Sequence, residues 1–272
     1  MLVLAAVLVF CVGCGEGVSE EPSAETTIDA TIITTTEPET TIPPIDPPEE
    51  IPQLPKTGKS LDDFIPEGWY LMDSVSIDFN EDGAEDYVGV LEHLSVKGLG
   101  SEAQGFAWGE ISLTRILFAL RSAGKQYQLD FQDAALIRRQ GEGGMMPDPY
   151  FPLTVDGKSF TTHAWGGSGW KWAQDHTYQY RDGTWYMVKS HETSYYGGWG
   201  EYERIDDYAT GIGLHKSNDL ETRYSGQYSV PEDWDEESGA FYFETAEQVK
   251  LGPPPTLEAF SKKFAQQMRR EY

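Results

Sequence analysis

Cysteine is almost absent from this sequence: of 272 residues only Cys11 and Cys14 are cysteines. Both precede any stretch able to fold, so the folded part has no disulfide and no thiol nucleophile, and cysteine usage says nothing of redox compartment. Basic residues are scarce as well. There are 20 Lys and Arg against 45 Asp and Glu, a formal charge of -25 at pH 7, and none of the bases precedes Lys56. A chain so acidic repels phosphate backbones, which removes nucleic acid from the expected partners. Long apolar runs are lacking too. Met1 to Phe10 is almost wholly apolar, but it falls far short of the ~20 residues that a bilayer-spanning helix needs.

Glycine and aromatics are plentiful, with 28 Gly, 15 Tyr and 8 Trp. Aromatics fill half-buried pleated surfaces and glycine supplies positive φ in tight turns, so the composition predicts mainly β structure.

The first ten residues have the length and apolarity of a signal-peptide core. The following Cys11-Val12-Gly13-Cys14 resembles a bacterial lipobox, and the resemblance implies lipidation of Cys14, with residues 1–14 as signal peptide. The match departs at Cys11, where the family has leucine, and in the missing basic leader. Ordinary cleavage and free secretion is the alternative. Each buried acyl methylene contributes about 0.8 kcal/mol, so two or more chains make a lasting anchor.

Residues 15–56 are rich in Thr, Pro and Glu, with Thr34-Thr35-Thr36, Pro43-Pro44 and Pro47-Pro48. Such a stretch has too little apolar surface to offset its ordering entropy, so a disordered acidic tether is expected. At ~3.1 Å per residue it could span on the order of 100 Å.

Residues 57–272 read as one mainly β domain. Ser60 to Phe64 forms a capped helical turn before Pro66. Ile116 to Leu120 and Tyr127 to Phe131 flank a hairpin turn, and Asp156-Gly157 and Asp182-Gly183 are two-residue hairpin signals. Further strands are expected over Tyr208 to Leu214, Glu221 to Tyr228 and Phe241 to Phe243. A helix closes the chain: Thr256 caps it, and Leu257, Phe260, Phe264 and Met268 recur at three- and four-residue intervals.

One loop stands out. In Asp78-Phe79-Asn80-Glu81-Asp82-Gly83-Ala84-Glu85-Asp86, oxygen donors fall at alternate positions around a glycine. Asp78, Asn80, Asp82, the carbonyl of Ala84 and Asp86 together approach the 6–8 oxygens that calcium takes. Three carboxylates so close repel one another unless something positive sits among them. The twelfth position is Gly89 rather than glutamate, and both flanks have strand character, so this is not a helix-loop-helix hand. The loop resembles the calcium hairpins of integrin-type FG-GAP and VCBS repeats, and the stretch from Trp69 to Tyr228, with Gly166 to Trp172 and the Tyr178 to Tyr186 hairpin following the loop, looks like surface lipoproteins of Gram-positive bacteria. A metal-free acidic turn is the alternative. Only one copy of the loop occurs, since Asp206-Asp207 and Asp233 to Glu237 lack its glycine and spacing, so a full propeller is not expected. The expected architecture is an antiparallel sheet assembly, sandwich-like or partly propeller-like, with a C-terminal helix.

Aromatic density peaks between Trp165 and Trp199. The cluster is either core or a platform for carbohydrate or peptide; as a platform, Trp165, Tyr196 and Trp199 are the candidate contacts. Hydrolase signals are incomplete. Gly166-Gly167-Ser168-Gly169-Trp170 has tryptophan where a nucleophile elbow has glycine. His191-Glu192 lacks the second histidine of a metalloprotease motif. His163, His176 and His191 could meet across strands as a zinc site. No residue is assigned to catalysis. The expectation is a lipid-anchored extracellular binding or structural protein with a calcium-stabilised hairpin; a hydrolase acting on cell wall or polysaccharide is the alternative.

Overall fold

The computed structural model describes residues 50–94, 115–145, 148–218 and 241–271. The expected signal segment with Cys14, most of the expected tether and the expected strand over Glu221 to Tyr228 lie outside them, as does the side chain of Met268.

Twelve strands among the described residues form two antiparallel sheets, with one C-terminal helix. The first sheet contains β1 (Thr57–Gly58), β2 (Trp69–Ile77), β3 (Asp86–His93), β4 (Arg115–Ala123) and β5 (Gln126–Asp133), ordered β1-β5-β4-β3-β2. The second runs from β6 to β12 in chain order: β6 (Tyr150–Asp156), β7 (Ser159–Gly167), β8 (Lys171–Arg181), β9 (Thr184–Tyr196), β10 (Trp199–Asp207), β11 (Ile212–Ser217) and β12 (Thr245–Lys250). Helix α1 spans Leu257–Glu271. The fold is mainly β and antiparallel, with no closed barrel among the described residues, as the composition predicts.

The hairpins form where turn chemistry asks for them. Asp182 and Gly183 take φ 49° and 84°, the paired left-handed conformations of a type I′ turn, and close β8 onto β9. The β6–β7 turn is shifted by one residue from the expected pair: Asp156 faces Ser159 across the ladder, leaving Gly157 and Lys158 as its centre.

The first sheet is buried on both sides, which is why β3 and β4 read as nearly unbroken apolar runs. Val88, Val90, Leu117 and Ala119 face the second sheet, where they meet Phe160, Tyr178, Trp185 and Met187. Leu91, Ile116, Phe118 and Leu120 point the other way, onto Leu54, Phe64 and Trp69. A bulge between Leu71 and Asp73 swaps the faces of β2, so Trp69 and Leu71 pack on the outer cluster while Val75 and Ile77 pack between the sheets.

The packed part of the chain starts earlier than the composition suggests. Leu54 is buried, its N–H donates to Gln132 Oε1 at 2.7 Å, and Gln132 Nε2 donates to the carbonyl of Pro52 at 2.9 Å. Ile51 and Leu54 supply apolar cover to the outer face, a gain that outweighs ordering a few proline-flanked residues. The expected turn after Ser60 is a 3-10 helix, Leu61–Phe64, with a capping box between Ser60 and Asp63.

Helix α1 follows the predicted stripe. Thr256 Oγ1 accepts from the N–H of Ala259 at 3.3 Å, and Leu257, Phe260 and Phe264 are buried. Each such side chain contributes roughly 1.5–3 kcal/mol. Phe260 and Phe264 lie against His176 of β8 at ring separations of 4.9 and 5.3 Å. The helix therefore covers part of the same face of the second sheet that the first sheet covers elsewhere.

Candidate functional site

The loop joining β2 to β3 is fastened from below. Phe79, between two oxygen-bearing residues, points inward, is 1% exposed and packs on Trp185 at 4.7 Å and Tyr180 at 5.2 Å. The alternation that buries Phe79 turns Asp78 and Asn80 away from the core. Gly83 has φ 82°, a conformation that side chains with a Cβ rarely adopt. Asp78 accepts from the N–H groups of Asp82 (3.1 Å) and Gly83 (3.0 Å), Asn80 Oδ1 from Asp82 (3.0 Å), and Asp82 Oδ1 from Ala84 (2.8 Å). Asn80 Nδ2 donates to Asp82 Oδ2 at 2.9 Å, putting a partial positive charge beside that carboxylate.

Strand β3 carries an acid at each end of its inter-sheet face, and the two fare differently. Glu92 meets the buried Arg115, which also pairs with Asp148 at 2.6 Å and donates to the carbonyl of Arg138. Asp86, at the loop end, is fully buried. Its Oδ1 accepts from the N–H of Ser122 at 2.8 Å, but its Oδ2 has no hydrogen-bond partner. Burial raises the Asp86 carboxyl above the ordinary aspartate range, against the Ser122 and Phe79 amides, and the charges of Asp82 and Asp78 add to the rise. A buried carboxylate oxygen without a partner, close to two more carboxylates, is a place where a cation would be stabilised. The donor set fits calcium in kind, since all the candidate ligands are oxygens. Among the described residues, however, no group of three or more His, Cys, Asp or Glu is gathered closely enough to hold a metal. The loop's own amides now occupy several of its oxygens.

The aromatic cluster is divided rather than laid out as a platform. Trp199 is 2% exposed and meets Trp170 edge-on at 5.6 Å. Trp165 is half-buried, donates to the Tyr195 hydroxyl at 3.2 Å and lies under Lys171. Tyr196 is 42% exposed. The three candidate contacts therefore offer no row of open rings, because Trp199 is needed to close the end of the sheet.

The histidines are divided between the two faces of the second sheet. His176 lies under helix α1 and bonds Glu192 at 3.1 Å. His163 and His191 are on the opposite face, on either side of Asp175 in the register. A common site for all three is thus ruled out by strand alternation. Ser168 sits in the β7–β8 hairpin, its N–H bonded to the Trp170 carbonyl at 2.7 Å, without the strand-to-helix turn of a nucleophile elbow.

A hydroxyl that the sequence reading passed over is Thr154. Its Oγ1 lies 2.7 Å from His163 Nε2, and His163 Nδ1 lies 2.7 Å from Asp175 Oδ1. Burial raises the Asp175 carboxyl, but the hydrogen bond and charge of His163 bring it below the ordinary range. The order hydroxyl, imidazole, carboxylate is that of an activated nucleophile. Thr154 is exposed on the sheet face, in line with a polar ladder that continues through His191, Glu203 and Lys216.

A second polar assembly lies beside helix α1. Gln174, Glu192, Arg204 and His215 are consecutive cross-strand neighbours on β8, β9, β10 and β11, and they line a cavity of about 610 Å³. No signal in the sequence marked this set. Its members come from four strands, each with the polar alternation of an ordinary surface.

Among the described residues no helix is long and apolar enough to cross a membrane. No protein-family model, curated protein or solved structure matches the chain, so its function must be argued from its own residues.

Proposed function

We propose that this is a lipid-anchored extracellular binding domain whose first long hairpin is tied by calcium. The observation that carries the reading is the unpartnered Oδ2 of fully buried Asp86 at the end of the Asp78–Asp82 loop. On this reading Asp78, Asn80, Asp82, the Ala84 carbonyl and Asp86 hold the ion, which supplies the positive charge that Arg115 supplies to Glu92 at the other end of β3. The ion has a structural role: it fixes the loop against Phe79 and, through it, the aromatic core around Trp185. The anchor is Cys14, and the acidic tether carries the domain outward from the membrane. Isothermal titration of the metal-stripped protein with calcium tests the site, with Asp82→Ala expected to abolish the heat; no heat with the native sequence would refute it. Mass spectrometry of the membrane fraction tests the anchor, and an unmodified Cys14 would overturn it.

The hydrolase reading is supported by one observation, the Thr154-His163-Asp175 chain. Binding is preferred because Thr154 stands on an open sheet face, and a nucleophile needs both exclusion of water and donors aimed at the developing oxyanion. Turnover of an activated ester, abolished in Thr154→Val, would reverse the preference.

A further inference from the structure

The seven-stranded sheet is wider than the five-stranded sheet that covers it. Phe160, Tyr178, Trp185 and Met187 pack on the smaller sheet, His176 lies under helix α1, and past the helix the face opens into the 610 Å³ cavity. That volume is within the roughly 300–1,000 Å³ of small-ligand sites. Strands β8 to β12 form the floor, Phe264 and Gln267 of the helix one wall, and Tyr202, 37% exposed, lies at the side.

The charges on the floor are matched inside the protein, apart from that of the exposed Glu247 on β12. Glu192 bonds His176 at 3.1 Å; Arg204 is gripped by Asp206 at 2.7 and 2.8 Å; His215 bonds the same carboxylate at 2.8 Å. Gln174 accepts twice from Arg138, at 2.7 and 3.0 Å. An anionic ligand would have to break one of these pairs, leave a buried charge behind and meet the carboxylate of Glu247, which is costly. A hydroxyl is both donor and acceptor and can use the remaining valences of amide, guanidinium and carboxylate without breaking any pair. Fixed donors alternating with fixed acceptors, beside an exposed aromatic ring, suit a neutral ring bearing several hydroxyls.

We infer that this cleft binds a neutral saccharide. The inference rests on the reading of the domain as a binding module, but it is separate from the calcium loop and from Trp165, Tyr196 and Trp199. The test is calorimetric titration of the full chain with maltotriose, cellotriose and triacetylchitotriose, with trigalacturonic acid as the charged counterpart, in calcium and in chelator. At least one neutral trisaccharide should bind with a Kd of about 1 mM or tighter. Tyr202→Ala and, on the exposed helix surface, Gln267→Ala should each weaken it at least about tenfold with circular dichroism unchanged, while Tyr196→Ala leaves it intact. Gln267→Ala does not alter the sheet, so it remains decisive even where Tyr202→Ala unfolds. Binding of none of the three, tighter binding of trigalacturonic acid, or loss only in Tyr196→Ala would each overturn the inference. Saccharide binding without a calcium heat would leave it standing while refuting the metal site; the reverse pattern would refute the cleft alone.

Discussion

Replacing Asp86 with Asn should raise stability in the absence of calcium and remove the rise that calcium gives. Asp86 is fully buried, one oxygen is bonded to Ser122 N–H and the other has no partner. Asparagine keeps the first bond and removes the charge. The folded-state pKa of the Asp86 carboxyl is raised by burial, so the native state holds that proton to higher pH than the unfolded chain does. Stability is therefore greatest below the unfolded value and is lost as pH rises through the folded one. Wherever the carboxyl is ionised, the calcium-free protein carries the cost of an unsatisfied buried group, about 1–3 kcal/mol. At roughly 2–4 °C per kcal/mol for a domain of this size, the calcium-free Asp86→Asn protein should melt about 2–12 °C above the native one. Calcium at one hundred times its Kd stabilises by about 2.7 kcal/mol, or about 5–10 °C. That rise belongs to the native sequence and should vanish in the variant. Differential scanning calorimetry in calcium and in chelator gives all four curves. A calcium-free variant that melts below the native protein, or one that keeps the full calcium rise, would refute the reasoning.

Three further outcomes are expected. Arg115→Ala leaves Glu92 buried and removes the guanidinium from Asp148, so urea denaturation should show a loss of about 3–5 kcal/mol; a loss below about 1 kcal/mol would mean that the cluster contributes little. Burial raises the Glu192 carboxyl, but the His176 bond and the nearby arginines bring it below the ordinary glutamate value of 4.5, so the stability it contributes is present above 4.5 and lost as pH falls through the folded value. Glu192→Gln should accordingly flatten the acid limb of stability between about pH 5 and 3, and an unchanged limb would count against this. Phe260→Ala opens a gap between the helix and Tyr178 and should cost about 3–5 kcal/mol in thermal unfolding; a melting temperature equal to that of the native protein would show that the helix is not docked as described.

Some of this architecture was plain in the chain itself. The helix showed in the spacing of Leu257, Phe260 and Phe264, and the β8–β9 hairpin in Asp182-Gly183, because both signals are local and each has few alternative conformations. Other elements were hidden. Strand β12, Thr245–Lys250, has no apolar alternation, since it is an exposed edge that gains its place through pairing with β11. Tyr208 to Gly211 looked like the start of a strand but forms the turn before β11, the aromatic Tyr208 packing on the core from the turn. Phe241 to Phe243, apolar enough for a strand, makes only a bridge at Tyr242 with Trp199.

The functional candidates divide along the same line. The sequence alone determined the spacing of the oxygen donors from Asp78 to Asp86, because donor spacing within nine residues is a property of the local chain. Only the tertiary structure decided that Asp86 would be buried with a free oxygen while Glu92, six residues on along the same face, would meet Arg115. Only it decided that Trp199 would close a sheet end rather than face a ligand, that Thr154 would stand beside His163, and that Gln174, Glu192, Arg204 and His215 would line one cleft. Those outcomes depend on strand register and on the extent to which one sheet covers the other, and register is fixed by pairings between residues distant in sequence.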